Sequence, residues 1–194
     1  EAQEDLLRMG GVGDEELSDT VGATSRSRAP WLLVNLATAI LASLVIGLFD
    51  ATISEMVALA ILMPIVASMG GNAATQTMTV TVRALATKDL DIYNAARIVR
   101  RETLVGIING ALFAVVMGVV AALWFDSTGL GGVIAVAMVV NMLAAALAGI
   151  LIPLLLDRLG ADPAIASSVF VTTVTDVVGF FAFLGLATLW FGVG

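Results

Sequence analysis

Neither cysteine nor histidine occurs in this 194-residue chain. Without cysteine there is no disulfide framework and no thiolate metal site, and nothing marks the redox compartment. Without histidine the common zinc and imidazole-base chemistries are excluded as well. Charge is scarce: 13% of residues are charged against 59% hydrophobic, and mean hydropathy is +1.03. That balance lies far outside the range of soluble globular domains and makes this a membrane protein. The net charge of -7 is concentrated in the leading segment and in loops, which argues against nucleic acid as a partner. The chain starts at Glu1, and its acidic, Arg-containing opening has no n-region and h-region pattern of a signal peptide. It reads as a fragment of a longer protein.

What is present is a series of long apolar runs. After a polar leader over residues 1–30, the runs 31–49, 56–82, 103–125, 131–156 and 164–191 each suit a bilayer crossing of about 20 residues. The expectation is an all-α membrane protein with five transmembrane helices per chain. The second run is interrupted at MGGNAATQT and is expected to contain a break, with Pro64 adding a kink. The basic segment RALATKDLDIYNAARIVRRE, residues 83–102, reads as a loop, as does DRLGADP, residues 157–163.

The nine basic residues test this count. Arg8, Arg26, Arg28, Arg83, Lys88, Arg97, Arg100, Arg101 and Arg158 all fall on one side when five spans alternate from the leader, and the other side receives Asp50, Glu55 and Asp126. Under the positive-inside rule the N-terminus is cytoplasmic and the C-terminus outside.

With the spans placed, SSVFVTTVTDVVGFF at 167–181 puts Asp176 roughly 18 Å along the last helix from its cytoplasmic end, near mid-membrane. A charge there costs at least a few kcal/mol and marks a functional site by default. No Lys or Arg lies in any span core, so protonation, a polar niche or a water-filled cation path must accommodate it. Ser168, Thr172 and Asp176 recur every four residues and share a helix face, the kind of stripe a hydrated cation would meet. A protonated Asp acting as packing glue is the plain alternative. Around Asn72, the irregular backbone expected at Gly70 and Gly71 would supply carbonyl ligands, whereas the plain reading is close helix packing. GIING at 106–110 has the form of a packing contact. Carboxylate, hydroxyl, amide and carbonyl are hard oxygen donors, suited to Mg²⁺, Ca²⁺ or Mn²⁺, and sparse carboxylates in a roomy site suit Mg²⁺ that keeps its waters.

MGGNAATQT followed by VRALATKDLD, then LGADPAIAS and VTTVTDVVGFFAFLGLA, resemble the membrane domain of the MgtE family of magnesium channels over essentially the whole chain. The resemblance implies a homodimer with one Mg²⁺ pore at the dimer axis, lined by the second and fifth helices, in the cell (inner) membrane. It implies that Asp176, once from each subunit, binds hydrated Mg²⁺ through its waters, so that two carboxylates and one divalent ion neutralise each other. Some family members carry Asn where this chain has Ser168, and a pore-lining backbone carbonyl falls at Thr172. The family's cytoplasmic regulatory domains, which sense Mg²⁺, are absent from this chain. EAQEDLLRMGGV resembles their end and the start of the connecting helix that plugs the cytoplasmic mouth, which makes residues 1–30 that helix and its linker and 31–194 the pore domain. Glu1, Glu4 and Asp5, together with Asp162, would then bind regulatory Mg²⁺, the alternative being a solvated acidic linker. A proton- or Na⁺-coupled transporter is the second reading and a packing subunit the third. An enzyme is disfavoured, because no His, Cys or clustered carboxylates offer a site.

Overall fold

The computed structural model describes residues 20–88, 90 and 94–192. The described residues form six α-helices and no strand. These are α1 (Val21–Gly47), α2 (Asp50–Glu55), α3 (Val57–Ala86), α4 (Ala95–Trp124), α5 (Thr128–Arg158) and α6 (Pro163–Phe191). All but α2 contain a stretch long and apolar enough to cross a membrane.

The ends follow local chemistry. Thr20 caps α1, its hydroxyl accepting from the amide of Ala23 at 3.4 Å, so the helix starts ten residues before the apolar run and carries Pro30 inside it. Ser127 caps α5 by accepting from the amide of Leu130 at 3.2 Å. Asp162 caps α6, with Pro163 in the first turn, where its missing N–H leaves no gap in the hydrogen bonding. Gly192 ends α6 at φ +65°, the left-handed geometry that glycine adopts without a Cβ penalty.

Two expectations are corrected. The second span has no break, since α3 runs unbroken through MGGNAATQT and holds Pro64 within it. Gly70 and Gly71 keep negative φ, and the hydroxyls of Thr75 and Thr79 bond back to carbonyls four residues earlier, so the polar residues are absorbed by the helix. The basic segment 83–102 is mostly not a loop either. Residues 83–86 finish α3 and 95–102 begin α4, because nothing in those sequences stops a helix.

α5 is the hub, packing against α3, α4 and α6, while α1 lies chiefly on α6 and buries only Ala42. Glycines allow the close approaches: a Cβ on Gly106 would lie 2.7 Å from the Cβ of Ala146, and one on Gly110 would lie 3.2 Å from the Cα of Val139. GIING is therefore a packing contact with α5, of the small-residue kind that holds helices together in lipid. α2 is tied to the end of α6 by a 2.8 Å hydrogen bond between the Thr52 and Thr188 hydroxyls.

Candidate functional site

α6 sorts its polar residues onto two adjacent rows. Ser167, Val171, Thr175, Gly179, Phe183 and Ala187 form a row buried within the bundle. Beside it Ser168, Thr172 and Asp176 are each only partly covered. The Thr172 hydroxyl donates to the carbonyl of Ser168 at 2.9 Å and approaches that of Val169 at 3.1 Å, while Thr173 donates to Val169 at 2.6 Å. Ser167 donates to the carbonyl of Pro163. Such back-bonding satisfies the hydroxyl protons inside the helix and leaves oxygen lone pairs to face outward. Asp176 has no comparable arrangement. No hydrogen bond or ion pair from a described residue reaches its carboxylate.

The neighbouring α3, which packs on α6, carries a second polar stripe. Ser68, Asn72, Thr75, Gln76 and Thr79 are all exposed along one side of this helix. The amide of Asn72 donates to the Ser68 hydroxyl at 3.4 Å, a contact within the stripe itself. Hydroxyls and amides at membrane depth belong against protein or water rather than lipid.

The candidates thus divide. Ser168, Thr172 and Asp176 share one face, and Asn72 stands on the adjacent helix. Asp162 is elsewhere: as the cap of α6 it lies fourteen residues before Asp176, about 21 Å along the helix. One of its oxygens accepts from the amide of Ala164 at 2.8 Å, and with Asp157, Val82, Leu85 and Ala86 it lines a pocket of about 140 Å³. Glu1, Glu4 and Asp5 lie outside the described residues. No three carboxylates come together among the described residues.

Sequence reasoning passed over two polar groups. Asn141, alone in the apolar run 131–156, is fully buried on α5 and donates through Nδ2 to the carbonyl of Val66 at 2.8 Å. Its Oδ1 is buried without a partner among the described residues, an arrangement that costs about 1–3 kcal/mol. The signal was available as a single amide amid aliphatic residues. Glu102, at the start of α4, accepts from the Thr77 hydroxyl at 3.4 Å in a pocket of about 220 Å³ that also holds Gln76, Arg101 and Asn109. Its place in the basic segment 83–102, which the sequence presents as a loop, hides it.

Residues 63–186 match the family model MgtE, described as a divalent cation transporter. Three curated relatives are each named a magnesium transporter MgtE. The protein of Enterococcus faecalis is 35% identical over 190 residues, covering 98% of this chain and 42% of the relative. Those of Bacillus subtilis and Thermus thermophilus are 31% and 33% identical, each covering 97% of this chain and 42% of their own length. The chain therefore spans under half the length of these relatives. The match covers both polar stripes from Ser68 onward, Asn141 and Asp176, and the chain belongs to the MgtE family of divalent cation transporters.

Proposed function

We propose that this chain is the membrane pore of a magnesium channel, which works as a homodimer and passes hydrated Mg²⁺ between paired Asp176 carboxylates. One observation carries the reading. Asp176 sits at mid-bundle on a partly uncovered, hydroxyl-lined face with no partner among the described residues. A second copy and a divalent ion would compensate a charge that no described residue meets. The names of the relatives supply the ion, and the donor set agrees, since hydroxyl, amide and carboxylate oxygens suit a hard cation that keeps its water shell. In this reading Ser168, Thr172 and Asn72 hold those waters, with Mg²⁺ as cargo.

The same proposal sets residues 1–30 as a cytoplasmic connecting helix and linker and 31–194 as the pore domain, in the cell (inner) membrane. The bases support a cytoplasmic N-terminus and an outer C-terminus. Arg26 and Arg28 begin α1, Arg83 ends α3 and Lys88 follows it, Arg97, Arg100 and Arg101 begin α4, and Arg158 ends α5, all one end of an alternating bundle. Mg²⁺ as regulator would gather at Asp162 with Glu1, Glu4 and Asp5.

Mg²⁺ flux into proteoliposomes, with wild type and Asp176→Ala in parallel, tests the reading, which predicts loss of flux in the variant. Unchanged flux removes Asp176 from the mechanism, and flux that requires a proton or Na⁺ gradient replaces the channel with a coupled transporter. Single cysteines at Glu55, Asp126 and Arg100 test the topology in this cysteine-free chain. The first two should label from outside and the third should not.

A further inference from the structure

Where α3, α5 and α6 meet, the apolar core is interrupted by a layer of small and polar residues, while on the side of α4 it continues through Met138 and Met142. Its outer cluster ends at Val66 on α3, Ala137 on α5 and Phe183 on α6. The inner cluster resumes at Ala74, Ala145 and Val171 on the same three helices. Between them lie Gly70, Asn141, Thr175 and Gly179, all buried. Asp176 belongs to this level of α6.

At the centre of the layer the Asn141 side chain is wedged between two backbones that carry no side chains. A Cβ on Gly70 would fall on the Asn141 amide, with Cγ 2.7 Å away, and a Cβ on Gly179 would stand 2.7 Å from Nδ2. The two glycines are on different helices, and each is bare where the amide touches it. An asparagine serving only as polar glue would be expected to use both its donor and its acceptor, yet Oδ1 is unpartnered. The helices are built around the size of this amide more than around its full bonding.

We infer that Asn141 is a positioning residue for Asp176: its amide is the spacer that sets the separation of α3 and α6 at the level of the carboxylate, with the bond to Val66 holding it in place. The inference rests on the reading of Asp176 as the ion site. Gly179 is three residues from Asp176, within one turn of the same helix, so a shift of α6 at the spacer reaches the carboxylate undiminished. In a homodimer the error would be doubled, because both carboxylates move.

The test uses Thr172→Cys, in an otherwise cysteine-free chain, as a reporter of where the polar face of α6 stands. Its rate of modification by a water-soluble thiol reagent is read in the reconstituted protein, and the Mg²⁺ concentration for half-maximal flux is read without the reporter. Asn141→Ala removes the spacer and should change the modification rate about fivefold or more, since thiol reactivity follows exposure. It should also shift half-saturation several-fold, as small misplacements of binding groups do. Asn141→Leu has the same branching at Cγ without the donor, and should keep the modification rate within about twofold of wild type. Gly179→Ala forces the amide aside and should perturb the rate by itself, and Asn141→Ala added to it should restore the rate, because the new methyl occupies the space the amide vacates.

An unchanged rate in both Asn141→Ala and Gly179→Ala would overturn the inference. So would a change in Asn141→Leu as large as in Asn141→Ala, which would make the hydrogen bond and not the spacing decisive. If Asn141→Ala does not fold, Gly179→Ala and Asn141→Leu decide by the same readout. Flux that survives Asp176→Asn defeats the ion-site reading separately, and the rates at position 172 still show whether Asn141 sets the helix.

Discussion

Two aspartates on α6, fourteen residues apart, are placed in opposite circumstances. Asp162 has its charge met on the spot, by a backbone amide at 2.8 Å and by the exposed N-terminus of its helix. Asp176 has neither, and the hydroxyls beside it spend their protons on carbonyls of their own helix. A helix end supplies unpaired N–H groups, whereas a helix middle has none to give. The same side chain is therefore a structural cap at one position and a carboxylate that no described residue meets at the other.

The largest effect should come from breaking this contrast at its active end. Asp176→Asn keeps the shape and removes the charge, and if the pair of charges contributes at least about 1.4 kcal/mol to holding the ion, flux falls about tenfold or more. Asp162→Asn, measured in the same vesicles, should conduct normally, since asparagine caps a helix as well as aspartate does. Equal losses in the two variants would erase the distinction.

A smaller effect is expected at Thr172→Val, which removes a hydroxyl from the polar face and keeps the backbone and the volume. Flux should fall about two- to fivefold, in line with loss of one hydrogen bond of about 0.5–1 kcal/mol to a hydration water, with no change in thermal unfolding. A fall in stability without a fall in flux would make the hydroxyl a packing element.

The smallest effect belongs to the other aspartate. Asp162→Ala should cost about 1 kcal/mol of stability through the lost cap while leaving basal flux intact. Denaturant or thermal unfolding in detergent measures the first, and vesicle flux the second. If inhibition by Mg²⁺ on the cytoplasmic side weakens in this variant, Asp162 is also a regulatory ligand.

The sequence alone determined what depends on composition and order. Five apolar runs, all the bases at one end of the alternation and an aspartate in the last run required no tertiary contact to be read, because transfer to lipid acts residue by residue. The spacing of Ser168, Thr172 and Asp176 announced a shared face for the same reason, since four residues are one turn wherever the helix sits. The expected break at MGGNAATQT failed because glycine permits irregular backbone without requiring it. Only packing decides, and here Asn141 of α5 lies against Gly70 while α3 stays an unbroken helix. Tertiary structure alone decided that GIING packs on α5, that Asp162 is occupied by a cap while Asp176 is not, and that Asn141 stands between two glycines from helices far apart in sequence. Such relations depend on which backbones come within a side chain's reach, and no single helix carries that information.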